Sequence, residues 1–118
     1  MIPHPGTAPA PGSPGTDGVR IWLATTPVDM RRSFDALAEH VRTILTHDPM
    51  SGHLFVFRSR NSERVKILWW DKDGYALFYK RLERGTFQFP TAGETSVAIG
   101  SEQLKRLLSG CVIHAKST

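Results

Sequence analysis

Asp29, Asp35, Asp71, Asp73, Glu83 and Glu94 are the carboxylates from which a two-metal site for phosphoryl transfer would have to be drawn. Their spacing singles out no convergent three. Asp71-Lys72-Asp73-Gly74 opens like a calcium loop, but such a loop needs a ligand at its fifth position and a Glu at its twelfth. Those positions hold Tyr75 and Leu82, and a hairpin turn accounts for both aspartates. His4, His40, His47, His53 and His114 follow no ligand spacing, and Cys111 has no second cysteine to share a zinc ion. There is neither a nucleophile elbow nor a glycine-rich phosphate loop. His53, at the entry to a strand, reads as a residue that closes a turn, and Cys111 as a small packing residue. Together these features point away from an enzyme and imply no catalytic residue, metal or cofactor.

The cations do form a pattern. Between Arg58 and Arg84 lie eight Lys and Arg against four Asp and Glu, an excess of +4 that equals the net charge of the whole chain. Local positive charge of this kind suits an anionic partner. Arg58, Arg60, Arg64, Lys66, Lys80, Arg81 and Arg84 are the candidate phosphate contacts, with Trp and Tyr rings between them for stacking on single-stranded bases. No ribonucleoprotein motif, zinc finger or helix-turn-helix accompanies them, so nothing here reads sequence.

These cations sit on or beside one hairpin. Val65 to Trp70 and Tyr75 to Leu82 are rich in β-branched and aromatic residues, separated by the turn at Asp71–Gly74. The turn centres on Lys72-Asp73 or on Asp73-Gly74, with Gly74 free to take positive φ. Either centre gives the same two faces. One carries Val65, Ile67, Trp69, Ala76, Phe78, Lys80 and Leu82, and suits a core. The other carries Lys66, Leu68, Trp70, Tyr75, Leu77, Tyr79 and Arg81, mixing rings with cations. Two arrangements satisfy that second face. A helix covers it while the cations snorkel out, or Leu68, Trp70, Tyr75 and Tyr79 dock a partner, since an uncovered apolar patch of this size marks an interface.

Residues 1–18 hold Pro3, Pro5, Pro9, Pro11 and Pro14 among small residues and are expected to be a disordered tail. Residues 19–110 are expected to form one domain, and 111–118 a C-terminal tail. Val19 to Thr25 reads as an inner strand. Thr26-Pro27-Val28-Asp29 then carries helix-start signals for a helix over Met30–Thr46. Its buried stripe is Phe34, Leu37, Val41, Ile44 and Leu45. Arg31 and Arg32, near the start, oppose the helix dipole at a small cost that either a solvated face or a phosphate-binding task would explain. His53 to Arg58 is a second strand, Thr86 to Phe89 an optional short one, and Ser96 to Ile99 an edge strand. Ser101 caps a last helix with Leu104, Leu107 and Leu108 on one face, and Gly110 ends it. The single cysteine suits a reducing compartment, no apolar run reaches the ~20 residues of a membrane span, and no signal peptide precedes the domain, so the cytoplasm is the expected location.

Several ordered blocks resemble a known family. Gly18 to Thr25, Asp29-Met30-Arg31-Arg32-Ser33-Phe34-Asp35-Ala36-Leu37 and Asp48 to Arg58 are similar to the opening of the accessory proteins of insertion sequences of type 66, often called TnpB or Orf2-like proteins. The likeness is strongest at Lys66 to Asp71 and Gly74 to Gly85, and covers roughly residues 18–110. It implies a bacterial mobile-element protein that supports transposition beside a separate transposase, which carries the strand-cutting chemistry. The implied partners are the transposase, element DNA, or both, with a protein-interaction module that never touches DNA as the alternative. The expected fold is α+β: an antiparallel sheet of four to six strands, one long helix packed on it and a short C-terminal helix.

Overall fold

The computed structural model describes residues 19–112; the tail expected at 1–18, and all but residues 111 and 112 of the tail expected at 111–118, lie outside the described residues. Its longest strands are two whose side chains alternate over eight residues each, β3 (Arg64–Asp71) and β4 (Gly74–Arg81). They pair antiparallel without a skipped residue, from Arg64 opposite Arg81 to Asp71 opposite Gly74. The facial partition expected from alternation holds: Ile67 opposes Phe78 on one side, while Lys66 opposes Tyr79 and Leu68 opposes Leu77 on the other. The turn centres on Lys72-Asp73. Its positive φ falls on Lys72 (62°) rather than on Gly74, and the Asp73 amide bonds back to the Asp71 carbonyl at 2.6 Å. Asp71 pairs with Gly74, so Lys72 and Asp73 are the two loop residues of the hairpin, and the residue that takes the positive φ is the first of them rather than the glycine.

Three further strands complete the sheet: β1 (Ile21–Ala24), β2 (Leu54–Arg58) and β5 (Ser96–Ile99). Their order is β4-β3-β2-β1-β5. The sheet is mixed rather than antiparallel, because β1 runs parallel to β2 while every other pair is antiparallel. A parallel pair needs a crossover, and the intervening helical segment supplies it. Thr86–Phe89 forms no strand; Phe87 instead plugs the core, its amide bonded to the Ser62 carbonyl at 2.7 Å.

One helical segment lies on each face of the sheet. The crossover carries α1 (Phe34–His40), extended by a π-helical turn over Val41–Leu45. At 12 residues in all it is shorter than the expected long helix. Asp29 explains the late start. Its carboxylate accepts the Arg31 amide at 2.9 Å and its carbonyl accepts the Arg32 amide at 3.1 Å, so Asp29–Arg32 closes a turn and the helix begins after Ser33. The wider π turn also changes the buried stripe. Leu37, Ala38, Val41 and Leu45 pack on Phe55, Phe57 and Leu68, whereas Phe34 and Ile44 stand exposed. Truncating a fully buried leucine such as Leu37 to Ala would cost about 2–5 kcal/mol.

The opposite face packs Ile21, Leu23, Val56, Val65 and Ile67 under α2 (Ser101–Leu108), with Leu104, Leu107 and Leu108 turned inward as the spacing predicts. Gly100 is the cap rather than Ser101, and its amide donates to the Gln103 side chain at 2.6 Å. Gly110, at φ 80°, ends α2: its amide bonds Leu107 and the Cys111 amide bonds Arg106. Cys111 itself is exposed, not packed.

Candidate nucleic-acid interface

The segment leading into α1 is fastened to the sheet at three points. The Val28 amide donates to the Arg58 carbonyl at 2.9 Å, and the Lys66 ammonium donates to the carbonyls of Met30 (2.7 Å) and Arg32 (2.6 Å). Lys66 is 6% exposed and lies 4.7 Å from the Tyr79 ring centre. This is the helix-covered arrangement of the mixed face, so Lys66 leaves the set of phosphate contacts: its charge is spent on backbone oxygens. Leu68 is fully buried under α1 and leaves the docking set. Trp70 and Tyr75 are half-buried and meet edge to face at 5.0 Å, with Tyr75 also packed toward α1. Tyr79, 50% exposed, is the one member of that set with a largely open ring.

The other cations divide in the same way. The Lys80 ammonium donates to the Leu108 carbonyl at 2.6 Å, closing the C-terminus of α2. Arg58 is half-buried, bonded to the Thr25 carbonyl and the Ser62 hydroxyl at 3.2 Å each, with its guanidinium 5.6 Å from the Phe89 ring centre. Arg81 pairs with Glu83 at 3.0 Å on the surface. Arg60, Arg64 and Arg84 are exposed and join no ion pair among the described residues.

Arg60 and Arg64 are brought together by the short connection from β2 to β3. Ser59 is buried. Its hydroxyl donates to the Asn61 side chain at 2.8 Å and accepts the Arg64 amide at 3.1 Å, while its own amide bonds the Arg64 carbonyl. Asn61 also accepts the Glu63 amide, so the loop is held from inside and Arg60 is pushed outward. A groove of about 820 Å³ opens between this loop and the 27–31 segment. Arg31, Arg60, Arg64 and Tyr79 line it, and the Arg64 guanidinium approaches the Tyr79 hydroxyl at 3.4 Å.

Arg31 is a groove residue missing from the seven cations drawn from the hairpin region. Its guanidinium forks onto Asp29, with contacts of 2.7–3.1 Å. Those bonds, with the Arg31 amide, hold the Asp29 carboxyl down at about 2 from an ordinary 3.8. The signal for it was the Asp29-Met30-Arg31 spacing, which lets one carboxylate take the backbone and side chain of the same arginine. A neighbouring groove of about 690 Å³ shares Arg60 and runs along α1 past Arg32 and His40. Burial and the Arg32 charge push His40 below the usual imidazole range, so it sits neutral there. Chemically, the site offers guanidinium groups, one phenol and one carboxylate already engaged. Among the described residues, no three His, Cys, Asp or Glu side chains gather as metal ligands, and no helix is long and apolar enough to cross a membrane.

The chain is 45% identical over 97 residues to the uncharacterized protein y4hO of Sinorhizobium fredii, covering 82% of this chain and 84% of that one. It is 38% identical over 93 residues to a second uncharacterized protein of the same organism, y4jC, covering 79% and 80%. No solved structure matches. A family model described as IS66 Orf2 like protein matches residues 19–118, the whole folded body included. The chain therefore belongs to the IS66 Orf2-like family, a transposition-associated accessory family of a bacterial insertion sequence.

Proposed function

We propose that this protein is a non-catalytic accessory factor that holds element DNA by its phosphate backbone, in the groove flanked by Arg60 and Arg64. One observation carries the reading: two exposed guanidinium groups line one groove, and neither has a carboxylate to neutralise it. A bridging phosphate would supply the missing negative charge, and an arginine fork matches its oxygens. Tyr79 stands at the groove wall as a donor or a stacking platform. Contacts of this kind position a protein on nucleic acid without reading bases, which suits an accessory factor working beside a separate transposase.

Fluorescence anisotropy with labelled element-end duplex tests it. The double variant Arg60→Ala/Arg64→Ala should bind about tenfold or more weakly at moderate salt, with an equal loss on scrambled duplex. Unchanged affinity sinks the reading. If the wild type binds no DNA at any salt, yet captures the transposase under high salt where apolar contacts persist, the protein is a pure protein-interaction module instead.

A further inference from the structure

The two edges of the sheet are finished differently. On one side β5 is only four residues long, a common way of blunting an edge. On the other, β4 runs for eight residues with no proline and no bulge, and among the described residues no strand pairs with its outer side. The Leu82 amide bonds the directly opposed Glu63 carbonyl. Opposed residues alternate between exchanging backbone hydrogen bonds and exchanging none. Lys80, Phe78 and Ala76 therefore bond inward to β3, and the backbone groups of Tyr75, Leu77, Tyr79 and Arg81 face outward, unpaired.

We infer that this edge pairs with β4 of a second copy of the chain, antiparallel about a two-fold axis at Leu77. The charges along the edge select both the occupant and the register. The turn end carries Asp71, Lys72 and Asp73, a net −1, and the far end carries Arg81, Glu83 and Arg84, a net +1. An antiparallel copy lays each end on its opposite. Only outward-facing residues can bond one another, so odd-numbered positions oppose odd-numbered ones. Leu77 then meets Leu77, Tyr75 meets Tyr79 of the second copy, and Asp73 meets Arg81 twice across the axis. Sliding the register by one step to centre on Phe78 would set Asp73 against Glu83, a like-charge contact. Arg81 exchanges its exposed partner Glu83 for Asp73, and the two five-stranded sheets become continuous.

Sedimentation equilibrium on the full chain provides the test. The wild type should dimerise, and Arg81→Asp, which faces Asp73 with a second carboxylate at both ends, should weaken association about tenfold. The charge swap Asp73→Arg/Arg81→Asp should return it to within about twofold of the wild type. Both positions are exposed, and thermal melts verify that the fold is kept. Amide exchange at Tyr75, Leu77 and Tyr79 in the unaltered protein should slow as concentration rises. A monomer throughout the millimolar range overturns the inference. So does a dimer that ignores both charge variants, or edge amides that exchange at the same rate at every concentration.

Discussion

Arg64 and Lys66 sit two residues apart on the same face of β3, yet they meet opposite fates. Lys66 lies under the chain that enters α1, its ammonium taken by two backbone carbonyls. Arg64 lies one step further along, where that cover ends, and its guanidinium opens into a groove. A cation's use is decided by which oxygens reach it first. Carbonyls fixed by the fold turn the charge into a fastener, while an open groove leaves it exposed. The same division separates Lys80, bonded to the end of α2, from Arg60 on its loop.

The contrast can be broken most sharply at Lys66. Replacing it with Met removes two charge-assisted bonds and strands two carbonyls, so urea unfolding should show a loss of about 2–3 kcal/mol. The melting temperature should drop by roughly 10 °C or more. Arg64→Met, on the same strand face, should stay within about 0.5 kcal/mol. Equal effects at the two positions would erase the distinction. Lys80→Met comes next, with an expected cost of about 1 kcal/mol from one lost bond at a helix C-terminus; no change there would make Lys80 a free cation after all.

A smaller effect of opposite sign is expected at the hairpin tip. Lys72 holds a φ of 62° that glycine adopts without strain, so Lys72→Gly should stabilise by about 0.5 kcal/mol if its side chain serves no contact. The least effect concerns Asp29. Its folded pKa is depressed to about 2 by Arg31, so its contribution is complete above the ordinary 3.8 and is lost as pH falls through about 2. Melting curves across that window should flatten slightly in Asp29→Asn, and an identical acid dependence would show that the carboxylate is not paired in solution.

Much of this was written locally. The two faces of the hairpin follow from period two and one turn, and the leucines of α2 from period 3.6. The parallel pairing of β1 with β2 was not legible, because the choice of neighbour is made across the whole sheet rather than within a strand. The helix start at Phe34 was hidden by Asp29, whose side chain competes for the amides a helix would use. Lys66 bonds residues more than thirty positions away. Its one sequence clue was its setting among Val65, Ile67 and Leu68, a lone cation inside a run that is buried on both faces. The groove needed three separate stretches to meet, so Arg31, weighed in the sequence only as an exposed or phosphate-binding cation near the helix start, joined Arg60 and Arg64 only with the fold.

The most direct measurement is the salt dependence of DNA binding in wild type, Arg60→Ala/Arg64→Ala and Arg81→Ala. Losing two phosphate contacts should lower the log–log slope by about 1.8, at about 0.9 for each contact, while Arg81→Ala leaves it near the wild-type value. A slope that is the same in all three proteins, or one that falls only with Arg81→Ala, would mean that the open guanidinium groups of the groove do not meet the phosphates.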